Sequence, residues 1–542
     1  MNPRKFLPIT VPAPIMPAPI MPAPIMPAPI MPAPIKLAPI MLAPIVMLGL
    51  SSAVFAQSTD PSLANPTVAE LADNVAKSRV ALNIVWVMLS AFLVMFMQAG
   101  FALAESGFTR AKNAGHTIMM NLMVYGVGVL GFWAIGFALQ MGGSGGSSLL
   151  GAVEGGLARE IGVTIGDKLY GLFGASGFAL TGEAYNIPTF ALFFFHMALM
   201  GTALAIPTGA LSERWKFSAL MVYALVASSL IYPVFANWAW GGGWLSSLPL
   251  GHGFVDFAGS GVVHLTGAVM ALTGSLVIGP RIGKFGRDGT TRTIPAHNQV
   301  LGVLGVMILG FGWFGLSAGS TLSGNDLRLV TVAVSAMLAS ASGMIGATLY
   351  GWALDGKPNL SRAAFGLLAG LVSASAGGAY FGAPTALIVG LVGGLLFVWS
   401  GEQLEQRFHI DDPLSAIAVH GVCGIWGLLA VGLFADGTYG AGLHGVAGGV
   451  TGLLHGDSRQ ILAQLAGIGA NIVWVGLTSF ALFKIIDLVI GMRVKPNEEL
   501  EGLDYHELGM PAYSDPLLEG EIGKLNAGSN PTLLQGRVPV GK

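Results

Sequence analysis

Apolar stretches of about 20 residues, the length a helix needs to cross a bilayer, recur from residue 81 to residue 490. They are too long and too uniformly apolar for the short alternating strands of a membrane β-barrel. With 53% hydrophobic and only 10% charged residues, the chain cannot cover a water-soluble globule of its length. The pattern predicts an all-α polytopic membrane protein with eleven transmembrane helices, near 81–104, 117–141, 187–211, 217–239, 259–279, 299–319, 329–350, 362–381, 384–400, 414–434 and 462–490. The 79 glycines fit helices that approach one another closely. The net charge of −2 by itself says nothing about nucleic acid, but no basic stripe offers it a surface, and no nucleic-acid partner is expected; the apolar segments make the lipid bilayer the expected surroundings. The single Cys423 excludes an intrachain disulfide and a cysteine-rich metal site, and is expected to pack as a small hydrophobe.

The amino-terminal region reads differently. A proline-dense repeat of the type Met-Pro-Ala-Pro-Ile runs from Val11 to Ile45, and proline at that density prevents a helix. The apolar stretch Val46 to Phe55 then ends at Val54-Phe55-Ala56, which resembles a signal-peptidase site. Residues 1–56 are therefore expected to be a signal peptide with a low-complexity insert, and 57–80 a periplasmic segment. Residues 81–490 form the helical domain, and 491–542 a cytoplasmic tail. Arg110, Lys112, Arg214, Lys216, Arg281, Lys284, Arg407 and Arg493 all follow odd-numbered spans, which places the amino terminus outside and the tail inside. The long outer segments 142–186 and 435–461 read as solvated loops.

Two stretches look like copies of one another. In Asp256 to His264 and in Asp412 to His420 an aspartate precedes a Val-His pair by the same spacing, and the histidine opens an apolar run. An ionisable residue inside a span is a functional candidate by default. Asp256 opens span five from outside and Asp412 opens span ten from inside, as in an inverted repeat of five plus five helices with one more at the carboxyl end. Two imidazoles meeting at mid-membrane offer a donor and an acceptor each, and can take up and pass on a proton. No carboxylate or cysteine accompanies them at depth, so no metal, and no other cofactor, is expected. No nucleophile–base pair or phosphate loop suggests an enzyme.

With these residues in hand, the chain resembles the ammonium transporter (Amt/Mep/Rh) family, in its bacterial Amt branch. The resemblance runs from about residue 80 to 513 and rests on Met97-Gln98-Ala99-Gly100-Phe101, Arg110-Ala111-Lys112-Asn113, Gly209-Ala210-Leu211-Ser212-Glu213-Arg214, Gly312-Trp313-Phe314-Gly315 and the two Asp-to-His stretches. It implies a homotrimer in the inner membrane with one pore per protomer, importing ammonium for nitrogen assimilation, with methylammonium as an analogue. Trp240 and Ser320 match the family's outer recruitment site, where an indole face attracts a cation and a hydroxyl accepts an N–H bond. Asp256 matches the family's essential aspartate, with attraction of the cation, support of the vestibule backbone and helix capping all open as its role. His264 and His420 match the twin histidines of the pore.

The sequence departs from the family where many bacterial members stack two phenylalanines as a gate: Leu199 and Leu316 occupy those positions. Leucine still closes a pore by dewetting but offers no aromatic face. Phe195 remains aromatic one turn earlier, and beside it His196 stands where relatives often carry glutamine. Residues 491–513 resemble the family's regulatory tail, which packs on a neighbouring protomer and in bacteria helps to dock PII-type signal proteins. Two other readings stay open: a passive Rh-like ammonia channel, and an ammonium sensor with little flux.

Overall fold

The structure is a computed structural model that describes residues 66–152, 155–446 and 448–513. The expected signal peptide lies outside the described residues, as do residues 514–542. The helical body belongs to the unit Asp73–Lys542. The short segment before it, residues 66–72, is the capped start of the first helix. There Thr67 and Glu70 cap reciprocally: the Thr67 N–H donates to Glu70 Oε2 at 2.8 Å and the Glu70 N–H donates to Thr67 Oγ1 at 3.2 Å.

Among the described residues, eleven helices match the apolar stretches. They are α1 (Val68–Phe108), α2 (Ala111–Met141), α3 (Ile187–Leu211), α4 (Phe217–Trp240), α5 (Ser260–Ile278), α6 (Gln299–Gly319), α7 (Arg328–Asp355), α8 (Leu360–Ser375), α9 (Ala383–Gln406), α10 (Ile417–Phe434) and α11 (Arg459–Val489). Ten are long and apolar enough to span, and α8 has only 16 residues. Its last turn ends early because its carbonyls serve another segment. Ser375 and Ala376 accept the Ala258 and Phe257 amides, and Val372 accepts the Ser260 hydroxyl. In the other direction, α1 begins at Val68 rather than near 81, so the described part of the expected amino-terminal segment is helical.

The most buried helices are α3 and α5, whose apolar windows are 83% buried, against 28% for α11. The outer helices turn an apolar stripe outward, such as Leu82, Val85, Leu89, Phe92 and Phe96 of α1 at alternating spacings of three and four. That is the reverse of a soluble helix and suits a lipid surround. Glycine brings backbones together as expected. A methyl at Gly305 of α6 would run into the Ala104 backbone of α1, and one at Gly370 of α8 into the Ala339 carbonyl of α7.

Neither long connecting segment is a solvated loop, which corrects that expectation. Within 142–186, β1 (Glu160–Ile165) pairs antiparallel with β2 (Lys168–Gly174) around a two-residue turn. The hairpin is fixed to the end of α4: the Trp238 indole donates to the Leu172 carbonyl at 2.8 Å and the Trp244 amide donates to the Gly171 carbonyl at 2.8 Å. The apolar residues Leu150 and Leu157 are buried, which a free loop could not arrange. Segment 435–461 docks at the same end, its Leu443 amide donating to the Ser320 carbonyl at 3.0 Å.

The opposite end gathers the basic loops and the tail. Glu213 pairs with Arg110, and with Arg281 at 3.3 Å. Arg281 grips Asp411 through two bonds of 2.9 and 3.0 Å. The tail adds two short helices, α12 (Pro496–Glu501) and α13 (Leu503–Leu508). Arg493 binds Glu499 at 2.8 Å and the Pro280 carbonyl at 2.7 Å. Asp504 accepts the Gly115 and His116 amides at 3.0 and 2.7 Å, capping the first turns of α2. Residues 491–513 are thus a folded element docked on their own chain.

Candidate functional site

Each histidine stands in a π-helical turn. Ser260–Leu265 opens α5 and Ile417–Val422 opens α10. The extra residue in such a turn shifts the helix face, a device common at functional sites. The aspartates explain how both turns start. Asp256 accepts the Gly259, Gly261 and Val262 amides at 3.0, 2.8 and 2.7 Å. Asp412 accepts the Ala416 and Ile417 amides at 2.9 and 2.7 Å. Both strands of this pattern also share a left-handed residue three positions after the aspartate: Gly259 at φ 99° and Ser415 at φ 54°. Gly259 is required on a second count, since a Cβ there would lie 2.6 Å from Val263 Cγ2.

The turns enter from opposite ends and bring the histidines together. His264 and His420 are both buried, with Nδ1 atoms 3.3 Å apart and rings stacked at 5.2 Å and 25°. A hydrogen bond between two Nδ1 atoms requires one ring to donate and the other to accept, so the pair holds two different tautomers. His264 also stacks on Trp313 of α6, 4.7 Å away at 17°. The Trp313 indole is fixed by donating to Ser375 Oγ at 3.0 Å. His264 Nε2 has no protein partner, so one edge of the pair is left for a passing molecule or a proton.

A cavity of about 250 Å³ lies at the end of the molecule that carries Trp240, lined by Trp240, His196, Leu192, Leu322, Leu443 and His444 among others. The Trp240 indole donates to the Asp256 carbonyl at 2.7 Å, which holds the ring against this cavity. Ser320 sits buried at the end of α6 and donates to the Leu316 carbonyl at 2.8 Å, leaving its oxygen lone pairs free to accept. Asp256 itself does not line the cavity. Its carboxylate is turned into the start of α5, and its amide donates to His444 Nε2 at 2.8 Å. His196 has two contacts of note. It lines the cavity 5.8 Å from the Trp240 ring, and its Nδ1 bonds Gln140 of α2 at 2.8 Å.

Trp313, Leu316 and Ser320 follow one another along one face of α6, at i, i+3 and i+7. Leu316 therefore lies between the level of the histidines and that of Ser320. Leu199 and Leu316 are completely buried, as is Phe195, which meets His196 edge-on at 6.1 Å. On α6, then, an apolar leucine separates Ser320 from the Trp313 that stacks on His264.

On the other side of the pair, a small cavity of about 30 Å³ is lined by His420 and by Glu105 of α1. Glu105 and His444 were not singled out from sequence. The signal for Glu105 was present, an ionisable residue in a span, but the expected boundary at 104 put it in a loop, whereas α1 continues to Phe108. For His444, only the folded loop shows that it reaches the Asp256 amide. Cys423 is buried and packs against α9, as expected, its Sγ 3.4 Å from the Gly393 carbonyl.

Comparison with known proteins adds to this geometry. Residues 85–513 match the Ammonium Transporter Family. The chain is 43% identical over 438 residues to the ammonium transporter Amt2 of Archaeoglobus fulgidus, covering 80% of this chain and 88% of that one. It is 31% identical over 433 residues to an ammonium transporter of Bacillus subtilis, covering 80% and 98%. Among solved structures it resembles one titled Sensor Amt Protein, with TM-score 0.70, 31% identity and coverage of 80% and 99%.

Proposed function

The chain belongs to the ammonium transporter family, and from that premise we propose that it recruits ammonium at the Trp240 cavity, removes its proton, and passes ammonia and the proton separately along the His264–His420 pair. The observation that carries this reading is the buried imidazole pair, in bonding distance and stacked on Trp313. Its support is physical. Bare ammonium in a closed apolar pore meets a desolvation penalty of several kcal/mol. Ammonia does not, and the proton has its own path through imidazole nitrogens. Potassium, with no proton to lose, is refused.

Roles follow for the individual residues. Trp240 offers its indole face to the cation and Ser320 an acceptor oxygen, with His196 beside them. Asp256 acts by holding the vestibule backbone: it fixes the turn that presents His264 and, through its carbonyl, the Trp240 ring. Leu199 and Leu316 exclude water. The Trp240 end faces outside and the tail end the cytoplasm, in keeping with the basic loops gathered at the tail end. Membership of the family supports a homotrimer, and the docked segment 491–513 supports a place where a PII-type protein binds.

Ammonium-induced current on solid-supported membranes tests the reading. A saturable current in the wild type that vanishes in the H264A/H420A double variant is expected. A double variant with wild-type current would overturn it. The sensor reading left open by the sequence gains support from the likeness to the Sensor Amt Protein structure; binding of ammonium without methylammonium uptake into proteoliposomes would favour it.

A further inference from the structure

We propose that Glu105 carries protons between the histidine pair and the tail end of the molecule. The proposal rests on the transport reading above and adds a residue to it. Glu105 stands one turn before the end of α1, 2% exposed, in an apolar surround. It lines the small cavity under the pair, and the only other titratable group there is His420. Phe101, Ile206, Leu309, Phe365 and Leu414 make up most of the remaining wall. A volume of about 30 Å³ has room for a single water, with an imidazole on one side and a carboxyl on the other.

The hydrogen bonds around Glu105 say which form it takes. Asn121 Nδ2 donates to Oε2 at 2.7 Å. On the other oxygen, Thr208 Oγ1 lies 2.7 Å from Glu105 Oε1 and 2.5 Å from the Ala205 carbonyl. Thr208 owns one proton, and both of those neighbours are acceptors if Glu105 is ionised. One of two close oxygen pairs would then have no proton between its members, and would repel. If Glu105 is a carboxylic acid the conflict disappears: its O–H donates to Thr208 Oγ1, and Thr208 donates to the Ala205 carbonyl. No cation pairs with Glu105 among the described residues, and a lone buried carboxylate is unfavourable. Glu105 is therefore a neutral acid at rest.

A buried neutral acid next to a pair of imidazoles is a proton relay by its chemistry. The O–H bond of Glu105 breaks as its proton passes to solvent water at the tail end, leaving the carboxylate. The carboxylate then takes the proton that the imidazolium releases, across one water in the cavity. One proton leaves for each that arrives, and no charge stays in the membrane.

The full-length protein in proteoliposomes provides the test, with ammonium-induced current and ammonia permeability read on the same preparation. Glu105→Gln keeps the shape and the bonds to Asn121 and Thr208 but cannot carry a proton. Its current is expected to fall by about tenfold or more, with ammonia permeability within about twofold of wild type, and Glu105→Asp to recover a measurable part of the current. An E105Q current within about twofold of wild type overturns the proposal. So does an equal fall of current and permeability, which marks a blocked pore. If E105Q does not fold, T208V replaces it: a reduced current with intact permeability supports the relay, and an unchanged current overturns it. Wild-type methylammonium uptake without any current overturns both the relay and the passage of the proton along the histidine pair and leaves ammonia conduction standing, whereas an E105Q current within about twofold of wild type overturns the relay alone.

Discussion

The two Asp-to-His stretches share a plan and differ in what surrounds it. Each begins with an aspartate on backbone amides, passes a left-handed residue and places a histidine in a π-helical turn. The first is sealed: three amides bind Asp256, His444 closes over its backbone, and His264 is pressed against Trp313. The second is braced by charge and open to a cavity: two amides bind Asp412, Arg281 clamps the neighbouring Asp411, and His420 borders the space with Glu105. An inverted repeat makes the two histidines meet, but His264 is stacked on Trp313 while His420 borders the cavity it shares with Glu105. Under the proposed function, the first stretch serves an arriving cation and the second a departing proton.

The largest expected effect tests whether the two halves act as one unit. H264A and H420A singly are each expected to lower the current by about tenfold or more, and the double variant by no more than the worse single. Additive losses, read on solid-supported membranes, would break the pairing. Next come the aspartates. D256A strands three buried amides and D412A two, at about 1–3 kcal/mol per buried group left unpaired. Both variants should unfold earlier in detergent, D256A more so, and equal losses in thermal unfolding would argue against this account of the caps.

A smaller contrast lies at the left-handed positions. G259A forces a methyl into Val263 at φ 99° and is expected to destabilise. S415G relieves a side chain of about 1 kcal/mol of strain and is expected to be neutral or stabilising. The same unfolding measurement decides both.

The smallest effect concerns pH. Burial pushes Asp256 up to about 6 and Asp412 up to about 7, against the amides that hold them down. A raised carboxyl favours the folded state as pH falls, and this response is common to the two stretches. Their neighbours differ. Burial pushes His444 down to about 4, so its contribution is complete above the ordinary histidine pKa of about 6.5 and is lost progressively as pH falls toward 4. For Asp411, burial acts upward but Arg214 and then Arg281 outweigh it and hold the carboxyl well below its usual range. That contribution persists above about pH 4 and is lost only in stronger acid. Hydrogen exchange between pH 7 and pH 5 should therefore loosen 435–446 with the Asp256 turn more than the Asp412 turn. H444Q, which can still accept the Asp256 amide, should remove the difference.

Much of the molecule was legible in the chain. Span number and the pairing of His264 with His420 follow from hydropathy and spacing, because a bilayer allows the backbone few alternatives and an equal Asp-to-His interval gives equal depth. The resemblance supplied Trp240, Ser320 and the two leucines. The span boundary at 104 hid Glu105, since apolarity fades near a helix end while the helix itself continues. The outer segments misled for a related reason: glycine and serine content reads as solvated, and only the docked hairpin shows what Trp238 and Leu172 do for each other.

By itself, then, the sequence determined that this protein is a helical membrane bundle with two histidines carried inward by matched, oppositely directed turns. Only the tertiary structure decided that Asp256 spends its carboxylate on the backbone, that His444 arrives from a distant loop, and that Glu105 shares a cavity with His420. The reason is physical. Hydropathy and periodicity are local and survive in a one-dimensional reading, whereas the protonation and orientation of a buried polar group depend on partners a hundred residues away.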